Sequence, residues 1–139
     1  MLEKLPEFLG NHPLWASAAF VIFALIIINE WRIRTRGFAS VSPPEAVQQI
    51  NQGATVLDIR GDSQFQKGHI LNAVHMPAGN VGDAVKKISD KDQGVIVCCE
   101  NGIQASRVAS VLVKDGYANV SILRGGLQAW VDDKLPIDQ

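Results

Sequence analysis

Leu14 to Ile28 reads LWASAAFVIFALIII, about 15 consecutive residues without a charge. With Pro13 and Asn29 the stretch reaches the low end of what crosses a hydrocarbon core of about 30 Å. Trp15 and Trp31 stand near its two ends, where amphipathic rings settle at a bilayer interface. The pattern predicts a transmembrane helix over residues 13–31, preceded by a short tail, residues 1–12. Arg32, Arg34 and Arg36 follow the run, whereas Lys4 is accompanied by Glu3 and Glu7 before it. The positive-inside rule then puts the C-terminal side in the cytoplasm and the N-terminus outside. A cleaved signal peptide fits less well, because Asn-Glu-Trp-Arg follows the apolar core in place of small residues. A buried helix of a soluble protein also fits less well, because a helix apolar all round needs cover on every side.

Residues 32–41, with Arg36, Gly37 and Ser40, read as a short linker that keeps the rest close to the membrane surface. From Ser42 the pattern changes to short apolar runs separated by glycine, proline and polar residues. Ser42-Pro43-Pro44-Glu45 predicts a capped helix start running to about Ile50, ended by Asn51-Gln52-Gly53. Strands are predicted at 55–59, 73–76, 94–98 and 120–123, the third being the most apolar. Helical segments are predicted at 62–67, weakly at 80–89, at 104–114 with Val108, Val111 and Leu112 on one face, and from Gly126 through Trp130. Strands alternating with helices at short spacing argue an α/β fold with a mainly parallel central sheet over residues 42–139. In such sheets ligands sit beyond the carboxyl ends of the strands.

The formal net charge is −1, so no basic face argues for nucleic acid, and no nucleic-acid partner is expected. The two cysteines are adjacent, Cys98 and Cys99. Adjacent cysteines form neither a disulfide framework nor a metal knuckle, and a lone reactive thiol suits a reducing compartment. Three scattered histidines add no metal site, and no cofactor is expected.

The candidate chemistry lies at Cys99. A strand ends, the cysteine follows, Gly102 turns the chain, and a helix begins. Gly102 permits a positive φ, so successive amides can converge on the sulfur as an anion-binding nest. The helix N-terminus adds partial positive charge, and both effects favour thiolate. Neighbouring strand residues point to opposite faces, which assigns Cys99 to the loop and Cys98 to the core.

Four motifs in chain order resemble the rhodanese family: Asp58-Ile59-Arg60; Phe65 with Gly68-His69-Ile70, Ala73, His75, Met76 and Pro77; Cys99-Glu100-Asn101-Gly102-Ile103-Gln104; and Leu123-Arg124-Gly125-Gly126 with Trp130 and Pro136. The likeness covers about residues 42–137, and the N-terminal anchor resembles a bacterial subgroup that joins one such helix to one rhodanese domain. The resemblance implies a rhodanese-like three-layer fold at the bacterial inner membrane, with the domain in the cytoplasm. It implies a sulfurtransferase in which Cys99 becomes a persulfide and passes its sulfur to a thiol or protein acceptor. The amides of Glu100, Asn101, Gly102, Ile103 and Gln104 would cradle the sulfur, and Arg60, with Asp58, would order the loop.

The second loop position, often basic in family members that use thiosulfate, is Glu100, and no Arg or Lys lies between Cys99 and Arg107. A doubly anionic donor is therefore expected to react weakly, which favours a small persulfide or a persulfidated protein as donor. His69, His75 and Trp130 read as structural, Arg107 as surface, and Gly125-Gly126 as a turn. A cysteine phosphatase is disfavoured because Ala105 occupies the position where that chemistry needs an arginine. The alternative is a non-catalytic rhodanese-like module that recruits a protein partner to the membrane.

Overall fold

The computed structural model describes residues 13–34, 37–80, 82 and 86–139. The chain divides into an N-terminal unit ending at Arg36 and a second unit, Gly37–Gln139. The first holds α1 (Pro13–Arg34), a 22-residue helix. At about 1.5 Å per residue it is about 33 Å long. Its Pro13–Trp31 window is apolar enough to cross a membrane or to serve as a signal sequence, and none of that window is buried.

The second unit carries β1 (Ala39–Val41), α2 (Pro43–Asn51), β2 (Thr55–Asp58), α3 (Asp62–Lys67), β3 (His69–Ile70), β4 (Val74–His75), β5 (Val95–Cys98), α4 (Ala105–Lys114), β6 (Val120–Leu123), α5 (Gly126–Asp132) and β7 (Ile137–Asp138). Five strands form one sheet in the order β1-β6-β5-β2-β4, with every neighbouring pair parallel. The weak helical pattern at 80–89 falls partly on residues 81 and 83–85, outside the described residues.

Local chemistry accounts for the elements. At the start of α2 the Glu45 carboxylate accepts hydrogen bonds from the Ser42 amide at 2.7 Å and the Ser42 hydroxyl at 2.8 Å. That capping box satisfies orphan groups of the first turn. Val95, Val97 and Cys99 join one core cluster with Leu57, Ile59, Met76 and the inner face of α4. Ile96 and Cys98 join the other, with Ala46 of α2 and Leu127 and Trp130 of α5. The parallel sheet is thus covered on both faces, which is why its strands are apolar throughout. The stripe that buries α4 is Ala105, Val108, Ala109 and Leu112, spaced i, i+3, i+4 and i+7. Val111, expected on that face, is 43% exposed.

Two further features depart from the sequence expectation. Residues 39–41, assigned to the linker, form an edge strand beside β6. In addition, β3 and β7 make a small antiparallel pair, His69 opposite Asp138 and Ile70 opposite Ile137. Strands of two or three residues leave too little alternation for periodicity to register.

Candidate active site

The order β1-β6-β5-β2-β4 places β2 and β5 side by side at the centre, with the chain running outward to opposite edges from each. That switch in direction opens a crevice beyond the carboxyl ends of these strands. Arg60 follows β2 there and Cys99 follows β5.

Arg60 is the fixed point. Its Nε donates to Asp58 Oδ1 at 3.0 Å, and its Nη2 donates to Asp58 Oδ2 and to the Gly68 carbonyl, both at 2.7 Å. Both side chains are almost fully buried, at 4% and 1% exposure. Burial works against the guanidinium charge, but the Asp58 hydrogen bonds and negative charge outweigh it and hold the Arg60 pKa above its ordinary value. Nη1 remains, and it faces the half-exposed Glu100 carboxylate at 3.4 Å.

The histidines brace this corner. His75 Nε2 donates to the Arg60 carbonyl at 2.8 Å, and His69 Nδ1 donates to the Phe65 carbonyl at 3.0 Å. The Phe65 ring lies stacked between them, 3.9 Å from His69 and 4.3 Å from His75, centroid to centroid. Both imidazoles are therefore engaged in packing and in backbone bonds.

Cys98 and Cys99 turn to opposite faces of the sheet. The Cys98 thiol donates to the Cys99 carbonyl, and burial, then the Asp58 charge, push its pKa far above the ordinary thiol range. It is a neutral core side chain. Cys99 is 2% exposed, and its sulfur accepts the Gly102 amide at 3.1 Å. Gly102 has φ +84°, and a Cβ there would lie 3.0 Å from the Gly125 nitrogen. Of the other loop amides expected to face the sulfur, that of Ile103 donates instead to Asn101 Oδ1, at 3.2 Å.

A second device that orients the loop, besides Arg60 with Asp58, was not read from the sequence. Gly125-Gly126, taken there as a turn, starts α5 directly behind it, with φ +75° and +62°. The orphan N–H groups at that helix start find acceptors in the loop: Leu127 N–H donates to the Cys99 carbonyl at 2.8 Å and Gln128 N–H to the Glu100 carbonyl at 3.1 Å. A side chain at Gly126 would collide with the Cys99 and Glu100 carbonyls. In a trans peptide N–H and C=O point opposite ways. Holding these two carbonyls toward α5 therefore turns the Glu100 and Asn101 amides to the other side of the loop. The sequence signal was the paired glycines just before a helix, but their partner lies far away in the chain.

A cleft of about 320 Å³ beside the loop is lined by Arg60, Gln64, Lys67, Gly68, Glu100, Leu127 and Ile137. Lys67, a cation that a reading confined to the loop did not count, lines it together with Glu100. A larger cleft, about 680 Å³, opens at the opposite ends of the strands, around Gly94 and Val120. Neither cleft is lined by a cysteine or histidine, and what marks the carboxyl ends is that Cys99 and Arg60 follow β5 and β2 there. The crevice at the carboxyl ends is the candidate site.

The chain and its fold have known counterparts. A family model described as a rhodanese-like domain matches residues 42–133. YibN of Escherichia coli (strain K12) is 30% identical over 98% of this chain and 97% of its own length, a match that includes the N-terminal helix. A thiosulfate sulfurtransferase, GlpE, of Haemophilus influenzae (strain PittEE) is 34% identical over 73% of this chain and 95% of its own. Among solved structures, a rhodanese-related protein from Thermoplasma volcanium superposes with a TM-score of 0.66 over 73% of this chain and 98% of its own, at 24% identity. The matched domain, the parallel sheet and the relatives agree, and the chain belongs to the rhodanese family.

Proposed function

We propose that this chain is a membrane-anchored sulfurtransferase in which Cys99 carries sulfane sulfur as a persulfide. The observation that carries the reading is the Gly102 amide on the Cys99 sulfur at 3.1 Å, in a loop whose backbone is clamped from behind by α5. An amide that donates to this sulfur can also hold the sulfur of a persulfide, so one loop serves both halves of a transfer reaction. The GlpE relatives bear the name thiosulfate sulfurtransferase, which supports transfer of sulfane sulfur as the reaction class.

In the first half-reaction the Cys99 thiolate attacks the sulfane sulfur of a donor. A new S–S bond forms at Cys99, the donor's S–S bond breaks, and the leaving group departs with the electron pair. That group is sulfite from thiosulfate, or a thiolate from a persulfide. In the second, an acceptor nucleophile attacks the outer sulfur, the Cys99 S–S bond breaks, and the thiolate returns. No general base is needed for an attacking thiolate. Asp58 and Arg60 position the loop and do not touch the transferred atom.

The length of α1 and the run Arg32, Arg34 and Arg36 after its apolar core support a single-pass anchor with the domain on the cytoplasmic side. The test is to incubate purified full-length chain with thiosulfate or an alkyl persulfide and map the product. The expected result is the mass of one sulfur atom on the Cys99 peptide, removed by cyanide as thiocyanate. Absence of the adduct with every donor leaves only a tethered binding module.

A further inference from the structure

Glu100 follows the nucleophile directly, and from sequence its charge stands in the path of an anionic donor. The structure places that charge elsewhere. Cys99 packs with Leu57, Ile59, Met76 and Ala105 on one face of the sheet. The Glu100 side chain lines the cleft with Leu127, a member of the core cluster on the other face. Its carboxylate meets Arg60 Nη1 at 3.4 Å and Gln64 Nε2 at 3.5 Å.

Arg60 cannot turn away from this contact, because Asp58 and the Gly68 carbonyl hold Nε and Nη2. The residue after Cys99 is thereby held twice, through its carbonyl by Gln128 N–H and through its carboxylate by Arg60. Lys67 lines the same cleft.

We propose that Glu100 is a positioning residue, a latch that ties the active loop to Arg60, and not a charge filter against anionic donors. This rests on the sulfurtransferase reading and deepens it: the residue after Cys99 acts on loading from every donor through the position of the loop. The sequence expectation of weak thiosulfate reactivity counted the Glu100 charge alone, whereas in the fold its carboxylate faces Arg60 Nη1 at 3.4 Å.

The test uses full-length chain in detergent, as wild type, E100A and E100Q. Cys99 is alkylated with neutral iodoacetamide and with anionic iodoacetate, and sulfur loading is followed with thiosulfate and with an alkyl persulfide. A latch predicts that E100A changes both alkylation rates by the same factor. It also predicts that E100A slows loading from both donors several-fold, up to about tenfold, as a displaced reacting group does. E100Q, which keeps the length and hydrogen-bonding capacity, recovers most of the loss, and the ratio of iodoacetate to iodoacetamide rates stays constant across the three proteins. A rise in that ratio in E100Q, with faster thiosulfate loading, overturns the proposal, and so does an E100A protein indistinguishable from wild type. The alkylation ratio reads the latch even without sulfur transfer. Failure of wild type to load sulfur from any donor contradicts the sulfurtransferase reading instead.

Discussion

Gly126→Ala probes the device that orients the loop. The substitution adds one methyl group, in a conformation with φ +62°. An L residue held in the left-handed region costs about 1–2 kcal/mol. The new Cβ also overlaps the Cys99 and Glu100 carbonyls, so α5 and the loop must part. Parting them breaks the bonds from Leu127 N–H and Gln128 N–H, worth about 1 kcal/mol each. The sum is about 3–4 kcal/mol, a large share of the 5–15 kcal/mol or so that a domain has. For a domain of this size each kcal/mol lowers Tm by about 4–8 °C, so Gly126→Ala should melt at least about 12 °C below wild type. Two controls separate the contributions. Gly53 has φ +98° with nothing within 4 Å of an added Cβ, so Gly53→Ala should show the conformational cost alone. Gly79→Ala meets neither obstacle and should melt as wild type does. Melting is followed by circular dichroism, and sulfur loading of Cys99 is measured well below Tm, where Gly126→Ala should load more slowly than Gly53→Ala. If Gly126→Ala and Gly53→Ala melt together and load alike, α5 does not clamp the loop.

Other expectations follow from the same contacts. Arg60→Ala leaves Asp58 buried without its partner and should cost about 3–5 kcal/mol, seen as a lower urea midpoint with loss of loading. Because the Arg60 pKa is raised, its contribution is complete below the ordinary guanidinium range and is lost only as pH rises past the still higher folded value, so it adds no pH dependence between pH 5 and 9. Glu45 has the opposite sign: the Ser42 amide bond holds its pKa below 4.5, so its contribution is present above that value and lost as pH falls through the lower, folded one. Glu45→Gln should therefore flatten the acid limb of a Tm-against-pH profile, and an unchanged limb would remove the capping box from the account. Cys98, neutral and fully buried, should resist iodoacetamide at pH 8 in the native protein and react only after unfolding.

The sequence revealed what neighbours in the chain decide. Val95–Cys98, the glycine of the loop and the start of α4 are consecutive, so strand, turn and helix show up as a change of period within a short window. Ser42 and Glu45 are likewise three residues apart, and the capping box follows from that spacing. What escaped was decided at a distance. The role of Gly126 depends on the Cys99 carbonyl, and Glu100 finds Arg60 across 40 positions of chain. Lys67 reaches the same cleft from the end of α3. Val111 misled because its spacing from Val108 satisfies a helical stripe as well as Leu112 does, and only the sheet decides which side of α4 is covered. Edge strand β1 escaped because two of its three residues are exposed.

The central claim is that one sulfur atom, on Cys99, is held by a main-chain amide and transferred. It is tested most directly by peptide mapping of wild type, Cys98→Ser and Cys99→Ser after incubation with a sulfane-sulfur donor. One added sulfur on the peptide of wild type and Cys98→Ser, and none on Cys99→Ser, is the predicted result. Equal loading of the two serine variants, or loading of neither wild type nor Cys98→Ser, contradicts it.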